Sequence, residues 1–220
     1  FNPANFTVEE PKSIPVVLLL DTSASMSGQP IDMLNKAVEA MIAEFKKAET
    51  METFIKLSII TFGSENGIDL HTPLTEVSKI NFQPLNVSGA TPMGAAFKMA
   101  KAMIEDKEVF NGRSAKCDRM AVAIGSADES VLKKFISGCE NPLFYAEDAS
   151  KIIEAFKKIT MSVTMRTKSV NKNQPININN ELDGGGINLD DLDNFKIWGV
   201  INGTSKYKSR WIRTICIWTL

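Results

Sequence analysis

The sequence predicts an α/β fold with a mostly parallel central sheet, one antiparallel edge strand and helices on both faces. The first observation behind this prediction is a continuous apolar run, from Pro15 to Leu20, that ends abruptly at Asp21. Such a run is typical of a strand that is buried on both faces under helices. The second observation is the alternation of short apolar segments with longer segments whose apolar residues recur at helical spacing.

Periodicity places the individual elements. Short apolar or alternating segments predict strands at about 14–20, 53–62, 67–74, 119–125 and 142–145. Helical spacing predicts helices at about 31–47, 92–107, 128–137 and 149–164. Pro30 is expected at the first position of the first helix, where its missing N–H costs nothing. Because only a short turn separates the second and third strands, these two are predicted to form an antiparallel hairpin at the sheet edge.

Composition divides the chain into three parts. Residues 1–13 carry two prolines and little periodicity, and they are expected to be an N-terminal leader. Residues 14–166 hold all of the predicted strands and helices and form the expected domain. Beyond residue 166 the composition changes, and 171–194 is rich in Asn, Asp and Gly, which is typical of a linker or loop. Residues 167–220 are therefore expected to be a partly flexible C-terminal extension.

Charge and rare residue types exclude several classes of function. The 220 residues carry a net charge of −1, whereas a general binder of nucleic acid or of a membrane surface needs a basic excess. His71 is the only histidine, which argues against Ser-His and Cys-His catalysis. The three cysteines form no CxxC pair, so a structural zinc site is not expected. Three widely spaced cysteines are expected to be reduced thiols of a cytoplasmic protein.

Three oxygen-bearing side chains follow the first predicted strand. Asp21, Ser23 and Ser25 occupy alternate positions directly after the apolar run. Ligands of α/β sheets bind beyond the carboxyl ends of the strands, where these side chains are expected. One carboxylate with two hydroxyls suits a hard cation such as Mg²⁺, which takes one or two carboxylates and keeps other positions for water or for a partner's oxygen.

These residues resemble a known motif. Asp21-x-Ser23-x-Ser25 after a hydrophobic strand is similar to the metal-ion-dependent adhesion site of von Willebrand factor A (vWA) domains, which have a Rossmann-like fold. The segment Ser88-Gly89-Ala90-Thr91-Pro92-Met93-Gly94 lies where that family places a metal-ligating threonine, before a helix. The order of strands and helices also agrees with the family, and the phrase around Thr91 most resembles the bacterial tellurite-resistance TerY-type members.

The resemblance implies a binding module and not an enzyme. Ser23, Ser25 and Thr91 would offer hydroxyl ligands to one Mg²⁺, or to Mn²⁺ or Ca²⁺, while Asp21 would bind it directly or through water. The cation would keep an open position for an acidic side chain of a partner protein, with no role for nucleic acid or membrane. Similarity to the TerY type implies a bacterial setting of stress response, tellurite resistance or defence.

One part of the family pattern is missing. Between the helix after Thr91 and the strand at 119–125, vWA domains have another central strand that ends in an aspartate, followed by a helix. The bridge near 110–117 is too short for a strand and a parallel crossover. Either the unit is lost, which would remove the outer aspartate and open a gap in the sheet, or 119–125 is that strand and Asp128 supplies the acid. The order of the later elements favours loss, and Asp128 is alternatively an exposed acid at a helix start.

Three other interpretations of the site remain open. Ser23 and Ser25 are able to cap a helix start and to satisfy backbone groups in a turn. A Mg²⁺-dependent phosphatase of the haloacid-dehalogenase type also has a strand-end aspartate, but it needs a second carboxylate two residues on, where this chain has Ser23. The third alternative is a structural vWA scaffold with a degenerate metal site.

Overall fold

A computed structural model describes residues 12–51, 53–64, 67–89, 92–106, 117–125, 127–139, 141–169 and 214–219. Within these ranges one sheet is formed by six strands: β1 Lys12–Asp21, β2 Thr53–Ser64, β3 Gly67–Glu76, β4 Cys117–Ile124, β5 Leu143–Ala146 and β6 Thr214–Thr219. The four helices of these ranges are α1 Gln29–Ala48, α2 Met93–Glu105, α3 Glu129–Ile136 and α4 Ala149–Lys168. None of these helices combines the length and the apolar character that a bilayer crossing requires.

The sheet has the order β3-β2-β1-β6-β4-β5. All neighbouring pairs run parallel except β2 and β3, which are antiparallel, so β3 is the antiparallel edge strand. Helices cover both faces, since one buried apolar cluster contains residues of α1 and α4 and the other contains residues of α2 and α3. The predicted α/β fold class is therefore confirmed.

Strand β1 explains why its apolar run has no polar interruption. Val16, Leu18 and Leu20 belong to the cluster under α1 and α4, whereas Val17 and Leu19 belong to the cluster under α2. All five side chains are at most 1% exposed. Because successive side chains of a strand point to opposite faces, both sets of positions must be apolar when both faces are covered.

The helices begin and end close to their predicted bounds, with two informative differences. Helix α1 begins at Gln29, after Gly28 with φ +81°, so that Pro30 is its second residue. Helix α4 continues to Lys168, beyond the predicted end near Thr164. The added turn carries Arg166, which is fully buried, so this turn is part of the interior and not a frayed end.

The expected gap in the sheet is occupied. Strand β6 lies between β1 and β4, with Leu18 and Met120 both level with Ile217. The bridge residues 107–116 and the Asn-rich segment lie outside the described residues, but 214–219 forms a central strand of the domain. The expectation that everything after residue 166 is an extension is corrected for these six residues and for the end of α4. The physical reason is that the edges of β1 and β4 carry backbone donors and acceptors that must be paired when buried.

Strand β6 also separates β4 from β1. Strand β4 pairs with β6 on one side and with β5 on the other. The alternative in which 119–125 is the missing central strand and Asp128 supplies its acid stays a prediction. The loss of a strand-helix unit agrees with this topology. At the other end, β1 begins at Lys12, so the last two residues of the expected leader belong to the sheet, and residues 1–11 lie outside the described part.

A buried ion pair joins α4 to β4 at the edge of the sheet where β4 starts. An Nη2 donor of Arg166 is hydrogen-bonded to Oδ2 of Asp118, and Asn141 Nδ2 donates to Asp118 Oδ1 over 2.5 Å. The side chains of Arg166 and Asp118 are 1% and 5% exposed. Two further guanidinium donors, Nε and Nη1, have no hydrogen-bond partner among the described residues. Within the described residues, the Asp118 carboxylate is therefore the group that compensates the positive charge of the buried Arg166 guanidinium.

We predict that Asp118→Asn lowers the free energy of unfolding by about 3–5 kcal/mol, because it leaves the buried guanidinium uncompensated. The double variant Asp118→Leu/Arg166→Met should recover most of this loss, since it removes both charges. Urea denaturation, monitored by circular dichroism, measures the free energy of unfolding of the single and the double variant.

The matched control is Glu129→Gln, which breaks an exposed pair with Lys133 of 2.7 Å. Its expected cost is small, because solvent screens an exposed ion pair. Equal costs for Asp118→Asn and Glu129→Gln would contradict the importance assigned to the buried pair.

Candidate metal centre

Strand β1 delivers Asp21 to the carboxyl edge of the sheet, where the chain turns away. The carboxylate is only 5% exposed, and its Oδ1 accepts a hydrogen bond of 2.7 Å from the backbone N–H of Ser23. A short 3₁₀ turn, Ala24–Met26, follows. This local geometry keeps the aspartate and the first serine of the motif together.

The two serine hydroxyls face each other. The Oγ atoms of Ser23 and Ser25 are 2.9 Å apart, with Ser23 buried and Ser25 exposed. Ser23 precedes the 3₁₀ turn but makes no side-chain capping hydrogen bond to it. The interpretation of Ser23 as a helix cap is therefore wrong, because its hydroxyl points to the other hydroxyl and not to the turn's backbone.

The hydroxyl spacing fits a small divalent cation. In octahedral Mg²⁺ coordination with oxygens at about 2.0–2.1 Å, adjacent ligands are about 2.8–3.0 Å apart, since this separation is √2 times the bond length. The hydroxyls of Ser23 and Ser25 are hydrogen-bonded to each other at 2.9 Å, and this separation also lies within the range for adjacent ligands. An all-oxygen set with a single carboxylate suits Mg²⁺ or another hard cation better than a soft metal.

Burial of Asp21 makes its negative charge costly. Removal from water is the largest effect on this carboxyl and raises its pKa above the ordinary value of 3.8, while the hydrogen bonds from the Ser23 backbone and side chain lower it in part. A cation bound at the carboxylate would offset the cost of the buried charge. The electrostatics of the site thus favour a positive ligand.

A second loop packs directly against the first. Ser88 N–H donates to Thr22 O over 3.0 Å, and Ala24 N–H donates to Gly89 O over 3.4 Å. Thr91 and Ala90 lie outside the described residues, so the predicted threonine ligand stays a prediction. On the other side of these two residues, Pro92 lies beside Gly67, since a Cβ built on that glycine would be 3.4 Å from the proline Cγ.

Gly63 permits a close approach that the sequence argument missed. This residue follows Phe62 near the end of β2 and has φ +121°. A Cβ built there would lie 2.3 Å from the backbone N of Ser23 and 2.5 Å from Thr22 C. The backbone of the Asp21 loop therefore rests on this glycine, and Thr22 N–H donates to Phe62 O over 2.8 Å. Gly63 directly follows the predicted strand 53–62, and a glycine that continues a strand is the signal that could have indicated the contact.

Asp128 caps helix α3. Its Oδ1 accepts hydrogen bonds from Ser130 N at 2.9 Å and from Ser130 Oγ at 2.7 Å. The carboxylate is exposed, and the side-chain hydrogen bond from Ser130 is the main cause that lowers its pKa. This is the helix-start role that sequence analysis considered as the alternative to a metal ligand. A water-mediated contact of Asp128 with a cation stays a prediction.

In the described part of the chain, carboxylate, thiol and imidazole groups by themselves do not form a metal-binding cluster. Across the described ranges, no group of three or more His, Cys, Asp or Glu side chains is arranged to hold a metal ion. His71 is hydrogen-bonded to Thr72 Oγ1 through Nδ1 at 3.0 Å and lies beside the Phe82 ring. A cation at the end of β1 would depend on hydroxyl and water oxygens in addition to Asp21.

We predict that Gly63→Ala destabilises the fold by about 1–3 kcal/mol more than Gly28→Ala does, because a backbone clash must be relieved at the Asp21 loop. Gly28 is the matched control, since it also has positive φ (+81°) but has nothing within 4 Å of a built Cβ. Thermal and urea denaturation of the two variants measures the difference. If both glycines tolerate alanine equally, the tight approach has no energetic role.

We also predict that Asp21→Asn stabilises the metal-free protein at neutral pH. Because folding raises the pKa of Asp21 above 3.8, the folded state binds more protons between the unfolded and the folded pKa, and stability is lost as pH rises through this window. Asparagine removes the charge and keeps the oxygen that accepts from Ser23 N. Denaturation in EDTA from about pH 3 to about pH 7 should show a gain that vanishes towards the acid end.

The matched control for this pH series is Asp69→Asn, at an exposed position of β3. It should leave the free energy of unfolding almost unchanged. A loss of stability in Asp21→Asn at pH 7 would show that the carboxylate is stabilised by its surroundings even without a cation.

Comparison with known proteins agrees with this architecture. The family model described as von Willebrand factor type A domain matches residues 16–127, which is more than half of the chain. A search of curated proteins gave no match. Solved structures that match include a von Willebrand factor type A protein from Catenulispora acidiphila, with 14% identity and a TM-score of 0.49. The match covers 70% of this chain but only 43% of that one. Because the family model matches from β1 through the Asp21 loop, α1 and α2 to the end of β4, the chain belongs to the von Willebrand factor type A domain family.

Proposed function

We propose that this domain binds a partner protein through a divalent cation held at the carboxyl end of β1. Domains of this family commonly mediate protein–protein interaction. The observation that carries the proposal is the set formed by the buried Asp21 carboxylate and the two hydroxyls of Ser23 and Ser25, which are 2.9 Å apart. No catalytic step is needed for such a function, because the cation serves as a bridge.

The proposed ligands have distinct roles. The hydroxyls of Ser23 and Ser25 would hold adjacent positions on Mg²⁺, or on Mn²⁺ or Ca²⁺, and the Thr91 hydroxyl would supply a third. The Asp21 carboxylate would bind the cation directly or through a water molecule, and its negative charge would partly neutralise that of the cation. Only one carboxylate in this set leaves the cation electron-poor, so its open position would favour an acidic side chain of the partner. Asp128 would at most contribute through water.

Binding without catalysis is also the simpler chemical reading of the loop. The residue two positions after Asp21 is a serine, and a serine hydroxyl does not act as a general acid near neutral pH. A haloacid-dehalogenase-type phosphatase would need a carboxylic acid there. We therefore propose that the protein is not an enzyme.

The biological setting is proposed on sequence similarity alone. The phrase from Ser88 to Gly94 most resembles TerY-type proteins of bacterial tellurite resistance. On this basis we propose a cytoplasmic role in bacterial stress response, tellurite resistance or defence, with an acidic protein surface as the partner.

We predict that isothermal titration of the metal-free chain with MgCl₂ or MnCl₂ shows one site, and that Asp21→Asn, Ser25→Ala and Thr91→Ala each weaken it at least about tenfold, or about 1.4 kcal/mol. The reason is that each variant removes one oxygen from a small ligand set. Ser27→Ala is the matched control, because it removes an exposed hydroxyl from the same loop.

The bridging role is tested with a pair of short peptides that differ only by Glu or Gln. In NMR titrations the Glu peptide should shift resonances of the Asp21 loop when Mg²⁺ is present, and EDTA should abolish the shift. Cation binding without Glu-peptide binding would leave a metal site but contradict the bridge. If no cation binds at saturating Mg²⁺ and Mn²⁺, the metal site is contradicted and the structural scaffold with a degenerate site is favoured. If the protein hydrolyses a phosphate ester, the phosphatase is favoured instead.

A further inference from the structure

The segment that leads to the Thr91 loop is held in place although it lies in no helix or strand. We call residues 80–89 the connecting segment, which follows the 3₁₀ turn Val77–Lys79. Ile80 and Leu85 are 7% and 4% exposed and belong to the apolar cluster under α1 and α4. Because a buried residue outside regular secondary structure has no helix or ladder partner, the backbone groups of Leu85 need partners of another kind.

One side chain of α1 supplies both of these partners. Oδ1 of Asn35 accepts a hydrogen bond of 2.7 Å from Leu85 N–H, and Nδ2 of Asn35 donates to Leu85 O over 3.1 Å. Because a side-chain amide carries both an acceptor and a donor, it pairs with the N–H and C=O of a single residue as a neighbouring strand would. Asn35 therefore fixes the backbone of Leu85 against α1.

A second hydrogen bond gives the connecting segment its direction. Lys46 Nζ, near the end of α1, donates to Ile80 O over 3.0 Å. Asn35 and Lys46 are eleven residues apart, which is about 16–17 Å along a helix that rises 1.5 Å per residue. Ile80 and Leu85 are five residues apart, which is also about 16–17 Å along a chain extended at 3.3 Å per residue. The two lengths agree, so the segment runs extended and antiparallel to α1, towards the start of this helix.

Beyond Leu85 the connecting segment reaches the loop after β1. Ser88 N–H donates to Thr22 O over 3.0 Å, and Ser88 Oγ donates to Gly63 O over 3.3 Å. Ser88 is three residues beyond Leu85, which allows at most about 11 Å of chain. The place of Leu85 therefore limits where Ser88 lies against the Asp21 loop.

We propose that Asn35 is a positioning residue of the candidate metal centre. By fixing Leu85 it holds Ser88 against the Asp21 loop. It thereby restricts where the predicted ligand Thr91, three residues after Ser88, meets a cation. This role rests on the proposed function, and it adds to that site a residue that contributes no ligand atom.

Hydrogen exchange and metal titration of the full-length chain test this role. Asn35→Ala removes both hydrogen bonds to the connecting segment, and the milder variant Asn35→Ser decides the question if Asn35→Ala does not fold. Asn86→Ala is the matched control, because it removes an amide at an exposed position of the connecting segment itself. Amide exchange of the metal-free proteins, corrected for intrinsic rates, compares Ser88 N–H with Leu18 N–H of β1, which reports opening of the whole sheet. Isothermal titration with MgCl₂ and MnCl₂ then measures the cation affinity.

Asn35→Ala should raise the exchange rate of Ser88 N–H at least about fivefold more than that of Leu18 N–H, and it should weaken cation binding at least about fivefold, since two hydrogen bonds are lost. Asn35→Ser should act in the same direction, and Asn86→Ala should change neither quantity. Equal factors for Ser88 and Leu18 would indicate a general loss of stability and would overturn the positioning role. An unchanged cation affinity of Asn35→Ala, when the wild type binds, would overturn it as well. If the wild type binds no cation, the proposed function and this role both fail, so the wild-type titration separates that outcome from a failure of the Asn35 role alone.

Discussion

The pairing of two buried strand edges is the constraint on which the rest of this domain depends. The facing edges of β1 and β4 lie in the interior under helices on both faces, where unpaired backbone groups cost about as much as a lost hydrogen bond. Strand β6 meets this requirement with six residues. Strand β6 joins β3-β2-β1, which includes Asp21, to β4-β5. The shape of the sheet's carboxyl edge therefore depends on β6.

The candidate metal centre lies at that edge, and its carboxylate opposes the stability of the metal-free fold. A carboxylate at 5% exposure costs free energy when it is ionised, and its raised pKa reports that cost. The surrounding loops nevertheless hold the Asp21 loop in place. The backbone of Thr22 and Ser23 packs against Gly63, and Ser88 N–H donates a hydrogen bond to Thr22 O. A charge that is buried, rigidly placed and next to paired hydroxyls is the expected preparation for a cation, which would relieve the cost on binding.

Local patterns predicted most of the elements, and the reasons are visible in particular residues. The run from Val16 to Leu20 could be assigned to a two-sided strand because no water-facing position interrupts it. The hairpin of β2 and β3 followed from the short turn between them, and Asp128 at a helix start followed from capping chemistry. The extra turn of α4 could not be predicted, because the group that holds it, Asp118, is 48 residues away in the sequence.

The sequence by itself determined the fold class, the family motif and the oxygen-bearing residues at the end of β1, because these depend on neighbours within a few positions. Tertiary structure alone decided that the missing central strand is replaced by 214–219, that Gly63 supports the Asp21 loop and that Arg166 is buried against Asp118. Each of these depends on which distant segments share a hydrogen-bonded edge or a van der Waals contact. Periodicity carries no information about that choice, since it describes which face of a segment is apolar and not which partner covers it.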